Sequence, residues 1–216
     1  MDFKMTVYVD TELEKSNGIP WLERSSFRIA LLSTFIALSV VLGFVLAAIP
    51  NIELFTLMIF LSGFILGKRD GAIIGLMSSF IFVFLNPYGV SPLPLFAYQI
   101  AHYSLVGIIG GAVHNYLKKK DYFKPEDDLY VFPIILIFAI IGGLITIIYD
   151  ILSTLIGALT IFGTIETFWP TYILGLPFTI VHTIGNILGF IFILPGLIQV
   201  IYKLLDLSED KIDKKG

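Results

Sequence analysis

Residues 61–80 read LSGFILGKRDGAIIGLMSSF, two apolar segments joined by the charged turn GKRDG. Small residues recur there at every fourth position, at Gly63, Gly67, Gly71, Gly75 and Ser79. Inside a bilayer, helices associate by van der Waals packing, and small residues at this spacing let their backbones approach closely. We therefore predict that the stretch folds as a close-packed pair of membrane helices. Gly107 and Gly111 repeat the spacing further along the chain.

The composition also indicates a membrane protein. The 216 residues are 56% hydrophobic, with a mean hydropathy of +0.90, and only 14% are charged, against about 25% in a typical soluble domain. A soluble protein this apolar could not cover its own surface, so we predict an all-α integral membrane protein. The net charge of −3 argues against a nucleic-acid partner. The chain has no cysteine, which excludes a disulfide framework or a thiolate metal site.

Apolar runs between charges, prolines and polar clusters define the candidate spans, since a spanning helix needs about 20 mostly apolar residues. The sequence predicts a compact bundle of six transmembrane helices at residues 27–49, 52–67, 71–87, 93–117, 131–160 and 172–205. Pro177 places the start of the last span proper near that residue, because proline is common in the first helical turn. This membrane domain, residues 27–205, follows a cytosolic arm, residues 1–26, and precedes a charged cytosolic tail, residues 206–216. The arm lacks the basic start and apolar core of a signal peptide.

The lysines and arginines fall on one side of this arrangement. Four lie on the N-terminal side, two between spans two and three, four between spans four and five, and four at or after the end of span six, which accounts for all 14. By the positive-inside rule, both termini of this multi-pass plasma-membrane protein are cytoplasmic. The outer loops then contain PNIE, NPYGVSPLP and GTIETFWP, whose only charged residues are Glu53 and Glu166.

Hydrogen-bonding side chains lie at one depth in three of the spans. His182 and Asn186, four residues apart in the stretch FTIVHTIGNILGF, share one face of a helix. At about 1.5 Å per residue, Gln99 and His102 in span four and Asp150 in span five lie in the same outer half of the bilayer. Polar residues at such depths usually face the bundle interior or a cavity. The candidate substrate-binding residues are Gln99, His102, Tyr103, Asp150, Ser153, His182 and Asn186.

These groups also have simpler interpretations. His182 and Asn186 could make helix-to-helix hydrogen bonds instead of ligand contacts. Asp150 is the only acid well inside a span, and no basic residue exists in the outer half to pair with it. It is therefore protonated, or pairs with His102 or His182, or meets a cationic or hydrogen-bonding ligand. A further alternative exposes Asp150 at the outer interface.

The chain lacks the motifs of several well-known reaction types. It contains no HExxH, no GxSxG and no Walker motif, so it cannot supply ATP energy itself. Two histidines with Asp150 could in principle bind a metal or relay protons, but their spacing matches no metalloenzyme pattern, and we predict neither a metal nor a cofactor. Tyr88 and Trp169 in the outer loops are lid candidates, although aromatic residues at this level are more often bilayer anchors.

Taken in order, several features resemble the substrate-binding S components of energy-coupling factor (ECF) vitamin transporters. The features are six spans with both ends inside, PNIE followed by the glycine-rich stretch, NPYGVSPLP ahead of span four, and His182-x-x-x-Asn186 followed by Pro195. The resemblance covers about residues 27–205. It implies capture of a vitamin-like molecule in a pocket near the outer surface, closed by the first and third outer loops. The candidate gating residues are Asn51, Glu53, Tyr88 and Trp169.

The same resemblance implies that the protein docks on a T-type transmembrane subunit and two ATPase subunits. Many family members dock through an Ala-x-x-x-Ala patch on the first span, which this chain lacks. Its nearest matches are Ala30-x-x-x-Thr34 and Ser33-x-x-x-Ala37. Small residues persist at that spacing, so Ala30, Ser33 and Ala37 are candidate docking positions. The departure puts a shared energising module in doubt and leaves room for a dedicated partner.

The charge pattern also bears on the ligand. Because the predicted outer half has no lysine or arginine, a ligand that needs a carboxylate or phosphate clamp is disfavoured. Asp150, Glu53 and their aromatic neighbours better suit a neutral or cationic ring compound. Two other functions stay open: a self-sufficient secondary transporter or proton-coupled carrier, in which Asp150 and the histidines form a relay, and a membrane-embedded enzyme.

Overall fold

The computed structural model describes residues 25–49, 51–86, 89–125 and 127–213, with side chains as far as Leu204. Residues 1–24 of the predicted arm, Tyr88 and the side chains of the predicted tail lie outside the described residues. Seven α-helical segments are present in the described chain: α1 (Ser25–Leu46), α2 (Phe55–Leu66), α3 (Lys68–Phe84), α4 (Leu93–Leu117), α5 (Phe132–Gly157), α6 (Phe168–Leu188) and α7 (Leu194–Asp213).

These segments form six continuous helices. A π-helical turn at Ala158–Phe162 extends α5, and a short 3₁₀ turn at Ile165–Thr167 leads into α6. A second π-helical turn at Gly189–Ile193 joins α6 to α7 without a break. The described chain therefore confirms the predicted all-α architecture with six helices.

Four of these helices are long and apolar enough to cross a bilayer, at residues 25–46, 93–117, 132–162 and 165–204. The other two, α2 and α3, are shorter, with 12 and 17 residues. Ten consecutive residues of α2, from Phe55 to Phe64, are buried. Contacts with α1, α3, α4 and α7 surround this helix, so α2 is an apolar helix enclosed by protein.

Several predicted helix limits were wrong, for local reasons. The span predicted at 71–87 begins at Lys68, because the turn Lys68-Arg69-Asp70 forms the first turn of α3, where an acid is favourable. The last helix does not start near Pro177. Its α-helical part begins at Phe168, and Pro177 lies inside it.

The glycine-rich stretch packs as predicted. A Cβ atom added at Gly63 would lie 1.9 Å from the carbonyl oxygen of Gly107, and one added at Gly75 would lie 2.1 Å from that of Tyr103. The backbones of α2, α3 and α4 are therefore in direct contact, which only glycine allows. Gly67, with φ of +94°, is the single residue between α2 and α3. Few residues other than glycine adopt that conformation, which makes the reversal so short.

Two contacts fix the end of the bundle that carries the basic turns. Arg28 on α1 pairs with the buried carboxylate of Asp70 on α3. The Tyr130 hydroxyl, just before α5, donates to the carbonyl oxygen of Phe192 within the second π-helical turn at 2.7 Å. A π-helical turn disturbs the regular hydrogen bonds of a helix. The Tyr130 hydroxyl therefore provides a donor for a carbonyl oxygen within that turn.

Candidate ligand-binding site

A cleft of about 240 Å³ lies among α1, α2, α3, α4, α5 and α6, at the end of the bundle opposite the basic turns. We call it the ligand cleft. Residues from α1 to α6, from the connection between α1 and α2, and from the connection after α3 line it. They are Gly43, Leu46, Ala47, Ile49, Asn51, Ile52, Glu53, Phe55, Phe82, Asn86, Tyr103, Tyr149 and His182.

Glu53 lies at the junction between the α1–α2 connection and the start of α2. Its Oε2 accepts a hydrogen bond from the backbone N–H of Thr56 at 2.8 Å, which satisfies one free donor of the first helical turn. Its Oε1 accepts from Nδ2 of Asn186 on α6 at 3.0 Å. The carboxylate thus links the α1–α2 connection to α2 and to α6. Only 19% of the Glu53 side chain is exposed.

His182 stands between two carboxylates. Its Nδ1 lies 3.0 Å from Oδ1 of Asp150 and 3.2 Å from Oδ2, while its Nε2 lies 3.5 Å from Oε1 of Glu53. The His182 and Asp150 side chains are 10% and 13% exposed. Among the alternatives considered for Asp150 from the sequence, the structure shows the one in which it pairs with His182. The described residues hold no group of three or more side chains suited to a metal ion.

Tyr149 on α5 is the centre of an aromatic cluster beside the row formed by Asp150, His182 and Glu53, which we call the acidic row. Its hydroxyl accepts a hydrogen bond from Nε2 of Gln99 at 3.0 Å. Its ring lies against the rings of Tyr98, His102 and Tyr103, with centroids 5.0 to 6.0 Å apart. The Oε1 atom of Gln99 is buried and has no hydrogen-bond partner among the described residues.

Another part of the lining of the ligand cleft is apolar and aromatic. The ring of Phe55 contacts that of Phe82 at a centroid distance of 4.8 Å and meets Tyr103 edge-on, also at 4.8 Å. Gly43 on α1 lies so near Phe82 that an added Cβ would be 2.8 Å from its ring. The cleft therefore combines an aromatic wall with a wall of hydrogen-bonding groups, an arrangement typical of sites for small organic ligands.

Most predicted substrate-binding residues do lie together. Contacts link Gln99, His102 and Tyr103 to Tyr149, and link Asp150, His182 and Asn186 to one another or to Glu53. Ser153 is different: its hydroxyl donates back to the carbonyl oxygen of Asp150, one turn away, and it is not part of the cleft lining. Tyr103 and His182 line the cleft directly, whereas Gln99 and Asn186 stand behind the lining.

The predicted gating residues have different positions. Asn51 and Glu53 line the ligand cleft, and Asn51 has a positive φ of 58°, which an asparagine tolerates better than most residues. Trp169 is 64% exposed, packs on Phe168 and is not part of the lining. Tyr88 lies outside the described residues.

The predicted docking residues share one outward face of α1. Ala30, Ser33 and Ala37 are all exposed, while Phe35, Ser39 and Gly43 form the buried face of the same helix. The small side chains are thus free of contacts that would bury them within the bundle.

Sequence reasoning missed part of the lining. Phe55, Phe82, Asn86 and Tyr149 were not among the predicted site residues. Glu53 was treated as a loop residue, although an apolar run follows it and acids are favourable near the start of a helix.

A known protein family matches most of the chain. The family model described as ECF-type riboflavin transporter, S component, matches residues 24–201 of the 216. No curated protein and no solved structure matches the chain. The matched range contains every helix that contributes to the ligand cleft.

Proposed function

Because this chain belongs to the family of ECF-type riboflavin transporter S components, we propose that it is the substrate-binding subunit of an ATP-driven importer and that its ligand is riboflavin. The observation that carries the proposal is the family match over residues 24–201. The ligand cleft is the proposed binding site, in the outer half of the membrane.

The chemistry of the ligand cleft supports this ligand. Riboflavin has a flat three-ring system and a chain of hydroxyl groups, and it carries no charge at neutral pH. Phe55 and Phe82 offer aromatic surface for the ring system. Asn51, Tyr149 and His182 offer hydrogen-bonding groups for its polar edge and its hydroxyls.

Binding can be measured directly with the purified full-length protein, because aromatic contact quenches flavin fluorescence. We expect saturable quenching by one riboflavin per chain. Phe82→Ala should weaken riboflavin binding about tenfold or more, since it removes part of the aromatic wall. The matched control is Phe84→Ala, because Phe84 lies on the same helix, is 55% exposed and does not line the ligand cleft. Absence of saturable binding by the unmodified protein would overturn the proposal.

The proposed partners are a T-type transmembrane subunit and two ATPase subunits, since this chain carries no Walker motif. Docking is proposed at the exposed face of α1 that contains Ala30, Ser33 and Ala37. Ala37→Trp should prevent co-purification of the partners while leaving riboflavin binding unchanged. Ile140→Trp on α5, at a residue 52% exposed, is the control for a bulky residue on the bundle surface. Partner recovery with Ala37→Trp would exclude this face as the docking site.

One feature favours a second candidate, a proton-coupled carrier that works alone. It is the row Asp150–His182–Glu53, in which a histidine faces two acids. Liposomes that contain only this chain separate the two functions. Riboflavin uptake driven by a proton gradient, without partner subunits, would favour the carrier, and uptake that requires T-type and ATPase subunits would favour the S component.

A further inference from the structure

The ligand cleft has an unbalanced charge. Two acids contribute to it, Glu53 in the lining and Asp150 directly behind His182. Even if His182 carries a full positive charge, two carboxylates against one imidazolium leave the row with a net charge of about −1.

In the part of the chain that the structure describes, no lysine or arginine compensates this charge locally. Among the described residues, none of those that line the ligand cleft is a lysine or arginine. The lysines and arginines of the described chain instead lie in the first turns of α1 and α3, in the connection between α4 and α5, or in α7, which does not line the cleft. Arg28, the one that reaches a buried acid, is paired with Asp70 on another part of the bundle.

The carboxylate of Glu53 is held in place. Both of its oxygens accept hydrogen bonds from N–H groups, one from Thr56 and one from Asn186. Its side chain is 19% exposed, so it is largely sheltered from water at the cleft wall. A fixed, poorly hydrated charge acts over a longer range than a mobile surface charge, because little solvent screens it.

We propose that Glu53 and Asp150 are specificity-determining residues that exclude phosphorylated flavins from the ligand cleft. This inference rests on the proposed function. Riboflavin is uncharged, so the acidic row does not repel it. Its 5′-phosphate ester carries a charge of about −1.5 to −2 at neutral pH, as phosphate monoesters do. Placing that group in a cleft whose acidic row keeps a net charge of about −1, and whose described lining has no lysine or arginine, is unfavourable. A protein can discriminate between two ligands by such a repulsive element.

The test compares riboflavin with its 5′-phosphate in fluorescence titrations of the full-length protein. Riboflavin serves as the internal reference, because general damage to the site weakens both ligands together. We expect the unmodified protein to prefer riboflavin by at least about 100-fold. Glu53→Gln should reduce this preference by about tenfold or more, which corresponds to about 1.4 kcal/mol.

The matched control is Glu166→Gln. Glu166 is an exposed acid next to α6, and its substitution makes the same change in total charge without touching the ligand cleft. We expect it to leave the preference unchanged. If Glu53→Gln does not fold, Asp150→Asn replaces it, with the same ratio of affinities as the readout.

The possible results separate the two proposals. Two results would overturn the specificity proposal while the proposed function stands. In the first, the unmodified protein binds riboflavin but does not prefer it to the 5′-phosphate. In the second, this preference is the same in Glu53→Gln and Asp150→Asn as in the unmodified protein. If the unmodified protein binds neither flavin, the proposed function fails and the specificity proposal fails with it. A reduced preference in the cleft variants and an unchanged one in Glu166→Gln supports both.

Discussion

At residue 182, an imidazole ring has two acidic neighbours that are not equivalent. Asp150 meets Nδ1 with both oxygens, at 3.0 and 3.2 Å, whereas Glu53 lies 3.5 Å from Nε2 and is held more closely by Asn186. Hydrogen bonds weaken as they lengthen. Asp150 is therefore the residue that orients the His182 ring, and Glu53 is the acid that lines the ligand cleft.

Asp150→Asn should weaken riboflavin binding at least tenfold, or by about 1.4 kcal/mol. The amide cannot provide the charged acceptor that now fixes His182, and charge-assisted hydrogen bonds are the stronger kind. Fluorescence titration of the purified variant measures the change. Asp121→Asn is the control, since Asp121 is exposed and distant from the ligand cleft. Unchanged affinity in Asp150→Asn would remove this residue from the site.

From the sequence, only the depth of these side chains along the helices could be predicted, and not the direction in which they point. Counting residues from the predicted ends of the spans placed His182, Asn186 and Asp150 at similar depth. His182 does contact Asp150, and Asn186 contacts Glu53, although the count for the last span started at Pro177, which lies inside α6. Depth does not tell which way a helix is rotated. The sequence therefore could not predict the direction of the Ser153 side chain, whose hydroxyl donates a hydrogen bond to the backbone carbonyl oxygen of Asp150.

Among the elements, α2 is unusual because it is both short and almost wholly buried. Its contact with α4 depends on backbone atoms: Gly63 faces Gly107, and Gly110 faces the carbonyl oxygen of Phe60. Any side chain larger than that of glycine at Gly63 or Gly110 would overlap the backbone of the neighbouring helix. The glycines thus set the distance between the helices that carry Phe55, Phe82 and Tyr103 to the aromatic wall.

Gly63→Ala should destabilise the bundle, because its new methyl group would overlap the backbone of Gly107 and the helices must separate. We expect a loss of about 1–3 kcal/mol or more, seen as a lower midpoint of thermal unfolding in detergent. The control is Gly175→Ala on α6, where an added Cβ would meet no atom within 4 Å. An unfolding midpoint for Gly63→Ala equal to that of Gly175→Ala would contradict the packing described here.

The pattern of small residues was enough to predict this packing, because four-residue spacing fixes which residues share a helix face. Helix ends were less predictable. Proline at position 177 was interpreted as a helix start, yet Pro170 already occupies the first turn of α6, where proline is tolerated. The π-helical turns at Ala158–Phe162 and Gly189–Ile193 have no clear sequence signal.

For the whole molecule, the helices form two groups around the ligand cleft. In one group, α2, α3 and α4 pack on each other, and α1 packs on α2 and α3. In the other, α5 packs on α6. The contact between α4 and α5 is less extensive, and hydrogen bonds such as Gln99 to Tyr149 connect the groups there. The site therefore lies between two packing units and takes residues from both.

The proposed orientation puts this site on the outer side of the plasma membrane. The natural chain has no cysteine, so single cysteines can be introduced without background. In intact cells, a membrane-impermeant maleimide should label Ser91→Cys but not Asp121→Cys, and both should react once the cells are permeabilised. Ser91 precedes α4, and Asp121 follows it. The reverse pattern would invert the proposed topology.

The contact between Gly63 and Gly107 also limits how this sequence can change over time. When a large side chain appears in a core, a smaller neighbour can often restore the fit. Here the atoms in the way belong to the backbone of another glycine, and no smaller residue exists to replace it. A substitution at either position therefore has no compensating partner at the other, and both glycines must be kept together if α2 and α4 are to stay in contact.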